Sequence, residues 1–257
     1  MTPLESTSVL VIDDNAALAE NIGEILADCG VEVEVALNAT DGLARFDGRE
    51  WDLVVTDVRM PGVNGLDLLE QIKQRSPGTP VMVMTGYADS ETVARAHHSG
   101  ALAVVHKPLD LDAFLSLVEQ VSEASAPVLV VEDDVALIGN ISEILCEENG
   151  LLPHPATRIS LARRLVESVD FRVALVDLRL PDGDGLAFAR ELQRRPDGTN
   201  RPVIIITGYP EALGEGIGQV VPANDTGTLD ALDPNELIIV TKPFAVPNLV
   251  ERLRQIV

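Results

Sequence analysis

The stretch LVVTDVRMPGVNGLDLL, residues 53–69, drives four mostly β-branched or apolar residues into an aspartate, Asp57, and then breaks into a Pro/Gly loop before an amphipathic run. A short apolar run closed by turn residues and followed by helical periodicity reads as strand, turn and helix. Ending a buried strand on a carboxylate costs desolvation unless a partner or a reaction uses it. The same signature returns once, with DVRMPGVNGL (57–66) recurring as DLRLPDGDGL (177–186). Outward from there, VLVIDDNAAL (9–18) matches VLVVEDDVAL (128–137), and NIGEIL (21–26) matches NISEIL (140–145). Further along, VMVMTGY (81–87) pairs with VIIITGY (203–209), and HKPL (106–109) with TKPF (241–244). The offset is 120 from Asp57 to Asp177, 122 from Thr85 to Thr207 and 135 from Lys107 to Lys242. The chain is therefore a duplication whose second copy carries about 13 extra residues between threonine and lysine.

Within each copy, short apolar runs alternate with amphipathic stretches, as expected for a parallel sheet covered by helices on both faces. In the first copy the pattern predicts strands at 8–12, 31–35, 52–56, 80–84 and 101–105, and helices near 15–28, 40–47, 65–75, 89–99 and 110–122. The expected fold class is α/β: two flavodoxin-like (βα)5 domains, each with a five-stranded parallel sheet of order 2-1-3-4-5. Domain one takes residues 1–123, a linker 124–127, and domain two 128–257, with a divergent helix-four region at about 210–236. In LLPHPA (151–156) the two prolines suit an edge strand, the place this order gives to strand two.

Composition narrows the function classes. Lys and Arg total 19 against 41 Asp and Glu, a formal charge of −22 that repels phosphate backbones and argues against nucleic acid as a partner. Cys29 and Cys146 lack zinc-type spacing and read as reduced thiols. No apolar run approaches the roughly 18 residues of a membrane span, and MTPLESTS lacks the features of a signal peptide. The expectation is a cytoplasmic protein that contacts no membrane.

In an open parallel sheet, ligands bind outside the carboxyl ends of the strands. Strand one leads into Asp13 and Asp14, strand three into Asp57, strand four into Thr85 and strand five into Lys107, so all five belong to one edge. Three crowded carboxylates repel by roughly 4 kcal/mol per pair at 4 Å and an effective dielectric of 20, which calls for a compensating cation. Magnesium suits such a site because it takes one or two carboxylates and leaves coordination open for phosphoryl oxygens. An aspartate can accept a phosphoryl group as a nucleophile, with a lysine and a hydroxyl balancing the moving charge.

With an acidic pair, an aspartate, a Thr and a Lys-Pro each closing a strand, and all repeated, the chain resembles two tandem receiver domains of bacterial two-component response regulators. The matching residues are Asp13, Asp14, Asp57, Thr85 and Lys107-Pro108 in the first copy, and Glu132, Asp133, Asp177, Thr207 and Lys242-Pro243 in the second. The resemblance implies phosphorylation of Asp57, Asp177 or both by a histidine kinase or histidine phosphotransfer protein, with Mg2+ as cofactor. It further implies that Asp14 and Asp133 touch the metal, that Asp13 and Glu132 act through water, and that the backbone carbonyls of Arg59 and Arg179 complete the protein ligands. Lys107 and Lys242 would then pair with phosphoryl oxygens, and Thr85 and Thr207 would bond to them.

Several elements admit plainer readings. An acidic pair after a strand often caps the next helix. Tyr87 and Tyr209 are either surface packing or gates over the site, and Arg59 and Arg179 either solvated or able to affect dephosphorylation. GEGIG (214–218) reads as a flexible loop. Val104 and Ile239 stand where many receivers carry an aromatic switch residue. The expected function is a phosphorelay response regulator without a separate catalytic output domain, signalling to a downstream protein target and able to form a homodimer. The alternative is the receiver portion of a diguanylate cyclase or hybrid histidine kinase, with one receiver as a dimerisation adaptor. An aspartate-nucleophile phosphatase is disfavoured, because Arg59 and Arg179 occupy the position of its second acid.

Overall fold

A computed structural model of the chain describes residues 7–86, 89–122, 126–147, 150–195, 198–209, 218–221 and 237–256. The chain divides into two compact units, Met1–Ser125 and Ala126–Val257. The first runs β1 (Ser8–Ile12), α1 (Ala16–Asp28), β2 (Glu32–Ala36), α2 (Ala39–Phe46), β3 (Leu53–Asp57), α3 (Gly65–Arg75), β4 (Val81–Thr85), α4 (Ser90–His98), β5 (Ala103–His106) and α5 (Leu111–Ser122). Its five strands are parallel in the order β2-β1-β3-β4-β5, as the apolar spacing predicts.

Local chemistry sets the helix starts. Side chains of Asn15, Asn38, Asn64 and Asp89 accept first-turn N–H groups of α1, α2, α3 and α4, satisfying donors that have no partner inside the helix. Strand periodicity then sorts the core. Val9, Val11, Leu53, Val55, Met82 and Met84 pack with residues of α1 and α5, while Leu10, Ile12, Val54, Val81 and Val83 pack with those of α2 and α3. Burial on both faces is why these strands are apolar except near their ends.

The second unit contains β6 (Ala126–Val131), α6 (Val135–Glu147), β7 (Leu151–Ala156), α7 (Ile159–Ser168), β8 (Val173–Asp177), β9 (Arg179–Leu180), β10 (Gly183–Asp184), α8 (Gly185–Gln193), β11 (Val203–Thr207), β12 (Gly218–Val221), β13 (Leu237–Thr241) and α9 (Val246–Ile256). Its core order β7-β6-β8-β11-β13 repeats the first sheet, and the prolines of β7 do sit on an edge.

Three features depart from the sequence reading. A sixth strand, β12, lies parallel to β13 beyond the expected edge, so this sheet has six strands rather than five. GQVV supplies β-branched residues to an edge whose backbone groups need partners, and that pairing outweighs the loop expected of Gly218. Ala126 and Pro127, expected in the linker, open β6, where a proline near a strand start removes little pairing. Finally, β9 and β10 form a small antiparallel hairpin after β8. Apart from β12, the divergent region 210–236 lies outside the described residues. Among the described residues, no helix is long and apolar enough to cross a membrane.

Lys73 is a buried charge away from the strand-end clusters. Lys73 on α3 is 6% exposed, and its ammonium donates to the carbonyls of Pro77 and Thr79 at 3.2 and 2.7 Å. Burial lowers its pKa to about 7. Between that value and its ordinary 10.5 the unfolded chain binds more protons, so stability rises with pH across this window, and the penalty is complete below it. Urea midpoints measured from pH 7 to 10 should climb in the wild type, and Lys73→Met should remove that component of the climb.

Candidate functional site

Strand register places the sequence-selected residues. Ile12 is level with Thr56, so Asp13 and Asp57 leave β1 and β3 side by side. Asp57 is level with Met84, which puts Thr85 one residue further along β4, and Thr85 is level with His106, which puts Lys107 just past β5. In the second unit Val131 is level with Val176, Asp177 with Ile206, and Thr207 with Thr241, which brings Glu132, Asp177, Thr207 and Lys242 to the equivalent edge.

Carboxylate oxygens of Asp13, Asp14 and Asp57 lie within 4.8 Å of one another, as do those of Glu132, Asp133 and Asp177. Asp13 and Glu132 are each 1% exposed, whereas Asp14 and Asp133 face solvent. One lysine spans each group. The Lys107 Nζ is 2.6 Å from both Asp13 and Asp57, and the Lys242 Nζ is 2.7 Å from both Glu132 and Asp177. Three carboxylates against one ammonium leave each cluster short of positive charge.

The titration shifts follow from this crowding. Burial pushes the Asp57 carboxyl above its ordinary range; Lys107 opposes the shift and Asp13 adds to it. Burial likewise lifts Glu132 to about 7, with Lys242 opposing and Asp177 reinforcing. Burial works to lower both lysines, but hydrogen bonds to the two acids outweigh it and raise them.

The backbone N–H groups of Arg59 and Arg179 donate to Asp57 and Asp177 at 2.8 and 3.2 Å, fixing each carboxylate against the start of its loop. Helix capping falls to Asn15 and Asp134 rather than to the acidic pairs, which remain available for the site. The Arg179 guanidinium lies 3.6 Å from the centroid of the Tyr209 ring, a cation–π stack beside Asp177. Tyr87 lies outside the described residues. Val104 and Ile239 pack aliphatically into the cores of their units.

Gly65 and Gly185 were not singled out by sequence reasoning. A Cβ at either would lie 1.8 or 1.9 Å from the carbonyl oxygen of Asp57 or Asp177, so the first turn of α3 or α8 rests on the aspartate's own backbone. The signal was present: a glycine follows the capping residue, Asn64 or Asp184, in both copies.

A family model described as "Response regulator receiver domain" matches residues 9–119 and 128–254. The chain belongs to the response regulator receiver family. A response regulator receiver protein of Anaeromyxobacter sp. (strain Fw109-5) is 36% identical over 203 residues, 79% of this chain and 83% of that protein. The DNA-binding transcriptional regulator NtrC of Salmonella typhimurium is 37% identical over 112 residues, 44% of this chain and only 24% of NtrC. Among solved structures, a CheY-like receiver domain from Methanospirillum hungatei JF-1 matches at 31% identity and a TM-score of 0.44, over 46% of this chain and 94% of that one. The protein thus contains two receivers, residues 9–119 and 128–254.

Because the clash at either glycine is with backbone, flexible side chains cannot relieve it. Gly65→Ala and Gly185→Ala should each cost about 3 kcal/mol or more, seen as a lower urea midpoint for the affected receiver.

Proposed function

We propose that the protein is a phosphorelay response regulator that accepts phosphoryl groups on Asp57 and Asp177 from a histidine kinase or histidine phosphotransfer protein. The observation that carries this reading is the pair of equivalent strand-end clusters, each joining three acids and a lysine. An aspartate oxygen bonds to phosphorus as the phosphorus–nitrogen bond of the donor breaks; the electron pair leaves with the imidazole and an acyl phosphate remains. Lys107 or Lys242, already beside the carboxylate, is in reach to neutralise the added charge. Thr85 and Thr207 end the neighbouring strands, where their hydroxyls would hold phosphoryl oxygens.

Each donor set is all oxygen, crowded and short of positive charge, which fits Mg2+. Asp14, Asp57 and the Arg59 carbonyl would hold it in the first receiver, and Asp133, Asp177 and the Arg179 carbonyl in the second, with Asp13 and Glu132 acting through water. When bound, the ion supplies positive charge for carboxylates and phosphoryl oxygens alike. We further infer that the phosphorylated state is read by a downstream protein or by a second copy of the chain, in the cytoplasm, without nucleic-acid contact. The added charge at a strand edge biases a loop and helix surface between two states.

Radiolabelled acetyl phosphate should label the wild type, each of Asp57→Asn and Asp177→Asn less strongly, and the double variant not at all. Label persisting in the double variant overturns the assignment. Magnesium at ten times its Kd should stabilise each occupied receiver by about 1.4 kcal/mol, raising Tm reversibly on chelation, because it binds only the folded site. An unchanged melting curve counts against the metal.

A further inference from the structure

In α7 the residue at the N-cap, Arg158, makes no side-chain capping bond. The matching residue of the first receiver, Asn38, caps α2 by accepting the Asp41 N–H at 2.9 Å. Their backbones are nearly the same, with φ and ψ of −163° and 162° at Asn38 and −162° and 156° at Arg158. Thus α7 has a backbone shaped for self-capping but lacks the side chain. Its exposed donors are met from elsewhere: the Ile159 and Ser160 N–H groups each donate to a carboxylate oxygen of Asp182 at 2.8 Å.

Asp182 sits at the tip of the β9–β10 hairpin, in the loop that follows Asp177. The first receiver has Gly62 at the matching position, with φ 88° and no side chain to reach α2. A second contact makes the same connection, since a Cβ on Gly183 would lie 2.9 Å from the Ile159 Cδ1. Burial works to raise the Asp182 carboxyl, yet the Ser160 and Ile159 amides hold it below its ordinary range.

The loop is anchored at both ends near the acceptor. It starts at Arg179, whose N–H holds Asp177 and whose side chain stacks on Tyr209, and it ends at Asp184, which caps α8 beside the Gly185 contact. We propose that Asp182 is a positioning residue for phosphoryl acceptance at Asp177, tying the acceptor loop to the N-terminus of α7; this rests on Asp177 being an acceptor. Without that tie the Gly183–Ile159 contact is left as the link from the hairpin to α7, and the Arg179 amide holds the Asp177 carboxylate less firmly.

The test uses the full chain carrying Asp57→Asn, so that only Asp177 reports, with acetyl phosphate and Mg2+. Label on this background checks the acceptor reading; no label there overturns both claims. Adding Asp182→Ala should lower both Tm and the initial labelling rate, the rate by about tenfold, as is usual when a partner that orients a reacting group is removed. Adding Arg158→Asn as well gives α7 its own cap and should restore Tm while leaving the rate low. A rate unchanged by Asp182→Ala, or one that recovers together with Tm, overturns the proposal and leaves Asp182 as a helix cap.

Discussion

Each receiver depends on a lysine ammonium that reaches two carboxylates from different strands. Lys107 follows β5, Asp13 follows β1 and Asp57 ends β3, and their contacts join three strand ends through two ion pairs. A parallel sheet covered on both faces leaves its strand ends as the place where charge is tolerated, and this cluster uses that place. The lysine offsets part of the cost of burying Asp13 and Asp57, but it cannot neutralise three acids. That remaining imbalance, rather than any one residue, is what the proposed divalent cation would offset.

Geometry around the cluster follows from holding the strand-end aspartate still. Two backbone contacts hold Asp57, the Arg59 amide on its carboxylate and the Gly65 turn of α3 on its carbonyl, and Asp177 has the same two. Beyond this shared frame the receivers diverge. The second adds β12 at its sheet edge, a hairpin after Asp177 and a capping acid supplied from that hairpin. Three carboxylates and a lysine are common to both, with Glu132 in place of Asp13, and the larger differences lie in the loops.

Much of this was legible in the chain itself. Apolar runs closed by Asp13, Asp57, Thr85 and Lys107 marked strand ends because burial selects apolar residues along a strand and polar ones only where it emerges. The repeat then doubled every assignment, and the prolines of β7 announced an edge. What was hidden depends on which distant segments meet. GQVV is too short to read as a strand until β13 offers it an edge, and Asp182 looks like a turn residue until α7 arrives without a cap. Nothing in the sequence marks Lys73 as buried, yet the loop after α3 folds its carbonyls over the ammonium. Gly65 and Gly185 were visible as a repeated motif, but only the close approach to the aspartate carbonyl explains them.

The most direct measurement is chemical mapping of the acyl phosphate. Protein treated with acetyl phosphate and Mg2+ is reduced with borohydride, which converts a phosphoaspartate to homoserine, and is then sequenced by mass spectrometry. Homoserine at positions 57 and 177 is the predicted result. Homoserine confined to other acidic positions, or found at none, would contradict a cluster built around those two carboxylates.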